Sequence, residues 1–176
     1  MKKIIETERL IMRPFTLDDA QASYEMNTCP EVMEYLGGPF SGSVEDISDM
    51  LQENTLGDYE KYNFGRFAVI HKETNEFMGF TGLKYVIELD EVDIGYRLKH
   101  KFWRQGYGYE STLPCVKFAF DDLGLDRIIS LANPDNIAST NLMKKLGLTY
   151  EKEVHIYGDN AVYYALNKSD WLKTNG

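Results

Sequence analysis

Between a strand-like alternating run, residues 92–98, and a run in which Leu113, Val116, Phe120 and Leu123 recur at helical spacing lies the stretch Phe102-Trp103-Arg104-Gln105-Gly106-Tyr107-Gly108-Tyr109-Glu110. Strand, glycine loop and helix in direct succession are a strong constraint, because the helix must begin where the strand leaves its sheet. The first turn of a helix carries backbone N–H groups without intrahelical acceptors and a partial positive charge, so an anion placed there is stabilised twice. Gly106 and Gly108 have no Cβ to keep a phosphate off that backbone, and Arg104 adds a cation. The loop therefore reads as a cradle for a pyrophosphate, the plainer alternative being a turn. Two familiar phosphate motifs do not account for it. A dinucleotide fingerprint needs a third glycine where Ser111 stands, on the first turn of a repeating strand-helix-strand unit. A P-loop, G-x-x-x-x-G-K-[ST], occurs nowhere in the chain.

Upstream of the loop, residues 7–15 read as a strand ended by Pro14, and Thr16 with Asp19 forms a capping pattern for a helix running to about Asn27. Gly37-Gly38-Pro39 breaks the chain, and Ser43 with Asp46 repeats the capping pattern for a second helix. Residues 64–71, 77–86 and 92–98 then form three consecutive antiparallel strands. Downstream, Gly124 caps the loop's helix, residues 127–132 form a short apolar strand, and a helix runs from about Asn136 to Gly147. Residues 150–157 and 162–166 close the chain as a hairpin. Pro114 conflicts with the helix it sits in and predicts a kink or a late start.

A chain of 176 residues can bury a core without staples, and it reads as a single domain over 1–176, without linker, repeat or low-complexity segment. Cys29 and Cys115 stand in unlike contexts and His71, His100 and His155 lack ligand spacing, so neither a disulfide framework nor a metal is expected. Residues 1–8 are too short for a signal-peptide apolar region and no apolar run reaches membrane length, which predicts a cytoplasmic protein with no membrane partner. A net charge of −9 argues against nucleic acid, whose phosphates need a cationic surface. It suits a cationic substrate such as an amine, or serves only solubility.

About thirty residues beyond the loop comes Asn136-Ile137-Ala138-Ser139-Thr140-Asn141-Leu142-Met143-Lys144-Lys145-Leu146-Gly147. With the opening E-R-L-x-x-R-P, the strand D-I-G-Y-R-L, the loop F-W-R-Q-G-Y-G-Y-E and the closing Y-Y-A-L followed by Trp171, the chain resembles the GNAT N-acetyltransferase superfamily, in particular its RimJ/RimL-like, ribosomal-protein-acetylating branch. The resemblance covers nearly the whole chain. It implies an α/β (α+β) fold: a mixed, mostly antiparallel sheet of about six to seven strands, flanked by helices and split between strands four and five. It also implies acetyl-CoA as co-substrate, with its pyrophosphate on the backbone of Arg104, Gln105, Gly106, Tyr107, Gly108 and Tyr109. The pantetheine arm would pair, strand-like, along the run from Asp93 through Ile94, Gly95, Tyr96, Arg97 and Leu98. Trp103 stands where the superfamily often has Gln or Arg, as is common in the RimJ/RimL-like branch.

Acetyl transfer needs a neutral amine, a donor for the oxyanion and a proton for the departing thiolate. A bulge near residues 94–96 would free an N–H for the oxyanion. Glu91 and Asp93 share one strand face and are candidates to accept the amine proton, against the plainer reading of a solvated face. Ser139 is the candidate to orient or protonate the thiolate and Asn136 to hold the pantetheine; both could instead serve the helix start. Met143 stands where many members carry a tyrosine acid. That departure leaves two readings, an N-acetyltransferase acting on a small-molecule amine or a protein N-terminus, and a non-catalytic acyl-CoA-binding or regulatory module of the same fold. Either a monomer or a homodimer fits. In the family the acceptor is selected by residues corresponding to 28–62 and 155–162, where Glu31, Glu34, Glu53, Asp58, Glu60 and Asp159 would suit a cationic partner.

Overall fold

The computed structural model describes residues 3–175; residues 1, 2 and 176, including the very start of the segment weighed above as a signal peptide, lie outside it. One sheet of eight strands runs through the described residues in the order β1-β2-β3-β4-β5-β6-β8-β7. The strands are β1 (Ile5–Glu6), β2 (Leu10–Pro14), β3 (Arg66–His71), β4 (Phe77–Val86), β5 (Glu91–Leu98), β6 (Arg127–Ala132), β7 (Thr149–Ile156) and β8 (Asp159–Asn167). All neighbours are antiparallel except β5 and β6. The sheet has one or two strands more than expected because the chain ahead of β2 folds back on it, placing Ile5 opposite Met12 and Glu6 opposite Ile11.

Helices cover both faces. On one side lie α1 (Ala20–Asn27), α2 (Pro30–Met33), α3 (Val44–Met50) and α4 (Gly57–Tyr62), on the other α5 (Tyr107–Lys117), α6 (Ile137–Lys145) and α7 (Lys168–Asn175). Strand β3 shows why its interior, residues 67–70, is apolar on both faces. Phe67 and Val69 pack into the core under α5, while Ala68 and Ile70 pack into the smaller core under α1 and α3. The Ser43–Asp46 capping box forms as read, with Asp46 N donating to Ser43 Oγ at 3.2 Å and Ser43 N to Asp46 Oδ2 at 2.6 Å. Pro114 does not delay α5, which begins at Tyr107; the backbone instead widens into π-type turns over Phe118–Asp122, one turn after the proline.

Candidate active site

Strand β5 pairs with β4 along its whole length, from Val86 opposite Glu91 to Gly79 opposite Leu98, but meets β6 only at Asp93 and Ile129. Beyond that point the two parallel strands part. Which backbone groups face the split follows from two bonds: Lys99 N donates to Met78 O on β4, while Ile94 O accepts from Ser130 Oγ on β6 at 2.7 Å. Alternation along the ladder then turns the N–H and C=O of Tyr96 and Leu98 away from β4 and into the opening. Leu98 O takes the Trp103 indole N–H at 2.8 Å, tying the loop to the strand. The bulge expected at residues 94–96 is absent; the β4–β5 ladder is regular there, and it is divergence from β6 that frees the backbone.

The glycine loop closes one end of the split. Gly106 precedes α5 with φ +84° and Arg104 has φ +60°, left-handed conformations that turn successive N–H groups to one side. Among the described residues, none of the N–H groups from Arg104 to Tyr109 has an intramolecular acceptor, and no side chain caps the helix. The Arg104 side chain is exposed and makes no ion pair or hydrogen bond among the described residues. Gln105 is spanned by its own bond from Nε2 to Lys101 O. Below the loop, the buried Tyr107 puts its hydroxyl 3.2 Å from His71 Nε2 and its ring under the Arg9 guanidinium, 4.1 Å from the ring centre.

Arg9 belongs to an anchor that sequence reading missed. Glu110, in the first turn of α5, accepts from Thr7 Oγ1 at 2.6 Å, Arg9 N at 2.9 Å and Arg9 Nε at 2.7 Å, while Arg9 Nη2 reaches Gln105 O at 3.1 Å. Burial pushes the Glu110 carboxyl up, but these donors prevail and hold it below the usual carboxylate range. The E-R-L of the opening segment and the final E of the loop motif are thus two halves of one contact, 101 residues apart in Arg9 and Glu110.

Inside the split lies a small cavity of about 50 Å³, lined by Ile94, Gly95 and Tyr96 from β5, Ser130 and Leu131 from β6, and Ser139, Leu142 and Met143 from α6, among others. The Tyr96 phenol and Ser139 share this lining; burial pushes the phenol up and the nearby Ser139 hydroxyl draws it part of the way back. Asn136 Oδ1 accepts from Ser139 N at 3.0 Å, capping α6, which is the plainer of the two roles read for it. Gly108 differs from its reading. A Cβ there would lie 3.2 Å from the Tyr96 ring and 3.5 Å from Leu142, so this glycine admits neighbouring side chains of the split, while Gly106 supplies the open backbone.

On the opposite face of the sheet a larger cavity, about 490 Å³, lies between α1, α2, α3 and strands β3 to β5. Arg66 separates it from the split: its guanidinium lies where a Gly95 Cβ would come within 2.9 Å of Nη1, which is why that position holds glycine. Asp93 is bound to this arginine, Arg66 Nη2 donating at 2.6 Å, and also accepts from Leu131 N at 3.2 Å. Glu91 accepts from Tyr163 hydroxyl at 3.0 Å and faces Arg127 Nε at 3.4 Å. Neither carboxylate lines either of these two cavities; Asp58 lines the larger, and burial pushes its carboxyl up despite Lys84, Arg66 and Lys61 nearby. Of the acidic residues read as substrate-facing, Glu31, Glu34, Glu53, Glu60 and Asp159 are exposed on the outside.

A family model described as the acetyltransferase (GNAT) domain matches residues 9–149, most of the chain, including the glycine loop and the residues lining both cavities. The chain belongs to the GNAT acetyltransferases. It is 32% identical over 158 residues to a Bacillus subtilis (strain 168) protein named uncharacterized N-acetyltransferase YoaA, covering 89% of each. It superposes on a GNAT-family acetyltransferase from Bacillus anthracis with TM-score 0.79 and 26% identity, over 95% of this chain and 99% of that one. A ribosomal-protein-S5-alanine acetyltransferase from Vibrio fischeri gives TM-score 0.78 over 97% and 99% of the two chains, a likeness of fold alone at 19% identity. The split that the GNAT resemblance placed between strands four and five is the β5–β6 divergence, shifted by one in number by β1.

For acetyl-CoA, the co-substrate of GNAT enzymes, the residues present fit at two places. Unpartnered N–H groups at the start of α5 suit a diphosphate, and the unpaired edge of β5 suits an amide-containing chain laid alongside. Among the described residues no group of three or more His, Cys, Asp or Glu side chains is placed to hold a metal, and no helix is long and apolar enough to cross a membrane.

Proposed function

We propose that the chain is a single-domain, cytoplasmic N-acetyltransferase of the RimJ/RimL-like branch that moves an acetyl group from acetyl-CoA to a primary amine by direct attack in a ternary complex. The observation that carries this is the run of N–H groups without acceptors at the start of α5, set beside the unpaired edge of β5. Acetyl-CoA, when bound, supplies the activated acetyl group as a thioester. Residues 104–109 hold the diphosphate, with Arg104 as free counter-charge, and the Tyr96 and Leu98 backbone orients the arm. The Tyr96 N–H donates to negative charge at the carbonyl end. Tyr96 and Ser139, which line the cavity in the split together, offer hydroxyl donors to the sulfur, so Tyr96 takes the role for which Met143 is unsuited.

The acceptor enters from the other face of the sheet, past Gly95. Glu91 and Asp93 are committed to cations, whereas Asp58 lines the acceptor cavity and burial raises its proton affinity, so the amine proton passes through water to Asp58. Asp93 holds Arg66 in place. The test is melting temperature with and without acetyl-CoA, followed by thiol release over an amine panel. At a hundredfold excess over Kd the ligand should add about 2.7 kcal/mol of stability. Equal stabilisation by NADH, or thiol release that no amine accelerates, would count against the reading. In the same assay Asp58→Asn should lower kcat/KM near neutral pH, and an unchanged value removes Asp58 from the proton route.

A further inference from the structure

The larger cavity has a charge pattern opposite to that of the whole chain. Three cationic side chains line it, Arg66 and Arg97 on its floor and the exposed Lys84 at its edge, against the single carboxylate of Asp58. Arg66 is already neutralised by Asp93 at 2.6 Å and donates to Gly82 O. Arg97 is not. Among the described residues it forms no ion pair; its partners are the neutral Asn27 Oδ1 and the face of Phe80, 5.3 Å away. A guanidinium partly withdrawn from water without a counter-ion carries a desolvation cost that an anionic ligand in the cavity would offset. Its surroundings act accordingly: burial and the nearby Arg66 charge bring the Arg97 guanidinium down to about 10, still protonated at neutral pH. A second group in the same wall also lacks a partner. The Ser23 hydroxyl lines the cavity, is only 3% exposed and has no hydrogen bond.

The rest of the wall is apolar, including Met26, Phe40, Ile47 and Leu51, and a volume of about 490 Å³ falls in the range of small-molecule sites. Resting on the acetyltransferase reading, we propose that the acceptor is a small amine that itself carries a carboxylate and an apolar side chain, with the carboxylate held by Arg97 and Ser23. A planar guanidinium pairs with a carboxylate through two parallel N–H bonds, which fixes the orientation of the molecule as well as its charge. Arg97 and Gly95 lie on the same face of β5, two residues apart, so a carboxylate held at Arg97 lets the α-amine, two bonds from the carboxyl carbon, point toward Gly95 and the split. The cationic acceptor suggested by the acidic loops is replaced by one that is zwitterionic before it loses its proton.

The experiment compares L-leucine, L-methionine and L-phenylalanine with their amides and with the dipeptides that append glycine, in thiol release and in calorimetric titration of the CoA-saturated protein. The amides lose the anion and the dipeptides move it one residue away. The free amino acids should show kcat/KM and affinity about ten- to a hundredfold better than either, the difference one charge-assisted pair supplies. In Arg97→Gln that preference should vanish, and Arg97→Lys should restore part of it; circular dichroism establishes that the variants fold. Dipeptides or amides turned over as well as amino acids overturn the inference in favour of a peptide N-terminus or an uncharged amine, and leave the acetyltransferase reading standing. Absence of amino-acid binding by calorimetry overturns it regardless of turnover. Failure of acetyl-CoA to bind at all sinks the proposed function instead, while titration of the protein without CoA still reads the carboxylate site.

Discussion

Replacing Glu110 with alanine tests whether the cradle is held in place by the contact between the opening segment and α5. The carboxylate accepts from Thr7 Oγ1 and Arg9 N, both partly buried, and from the Arg9 guanidinium, whose side chain is 40% exposed. Hydrogen bonds to a charged group contribute about 1.5 kcal/mol each at the lower end, and the exposed ion pair adds under about 1 kcal/mol. The sum is about 3–4 kcal/mol, or roughly 6–16 °C in Tm for a domain of this size. Glu110→Gln keeps an acceptor for Thr7 and Arg9 N but loses the charge, so about half the effect should remain. The pH dependence has a definite sign. The folded carboxyl lies below its unfolded value, so its contribution is complete above the unfolded pKa and is lost as pH falls through the folded one. Urea denaturation of wild type and Glu110→Gln, from pH 8 down to the lowest pH with a cooperative transition, should show a gap that closes on the acid side. A gap independent of pH, or an effect no larger than that of the exposed Glu53→Ala, refutes the account.

Gly106→Ala forces a side chain to φ +84°, costing about 1–2 kcal/mol, and should weaken acetyl-CoA binding measured by calorimetry; wild-type affinity would mean that the cradle is misplaced. Gly108→Val should act differently, pressing on the Tyr96 ring and lowering kcat more than affinity, and a pure affinity loss would restore the phosphate reading of that glycine. Ser139→Ala and Tyr96→Phe should each lower kcat about ten- to a hundredfold with little change in acetyl-CoA affinity, whereas Asn136→Ala should cost about 1 kcal/mol of stability and spare turnover. Unchanged kcat in both Ser139→Ala and Tyr96→Phe removes the pair from the chemistry.

The elements that local physics dictates were legible. Residues 77–86 and 127–132 occur as strands with the bounds read from alternation, and both capping patterns form. What was missed depends on partners distant in sequence. Ile5 and Glu6 have too few residues to show a period and become a strand only because β2 offers an edge. Helix α7 has a mixed face, and the polar Lys168-Ser169-Asp170 that opens it gives no apolar period; the buried Trp171 belongs to the core beneath α5. The bulge read at residues 94–96 was the wrong device for a correct need. Freed backbone groups can come from an inserted residue or from a neighbouring strand that leaves, and only the second is invisible in the strand's own sequence.

The site divides in the same way. Its cofactor side is written in consecutive residues, since a helix start and its glycines are local, and the loop motif therefore carried most of that side. The cavity proposed for the acceptor is assembled from α1, α3, β3, β4 and β5, and the sign of its charge could not be read from a sum of −9. That sum is carried by groups such as Glu31, Glu34, Glu53 and Glu60, which sit in water. Their field is screened over about 8 Å at physiological salt. Arg97 would act at contact distance in a partly buried, largely apolar wall, where one charge pair outweighs several screened ones. An acidic exterior therefore slows the approach of a carboxylate without deciding whether it is held, and in the proposed reading specificity is set by Arg97, the cavity-lining guanidinium that folding leaves without a counter-ion among the described residues.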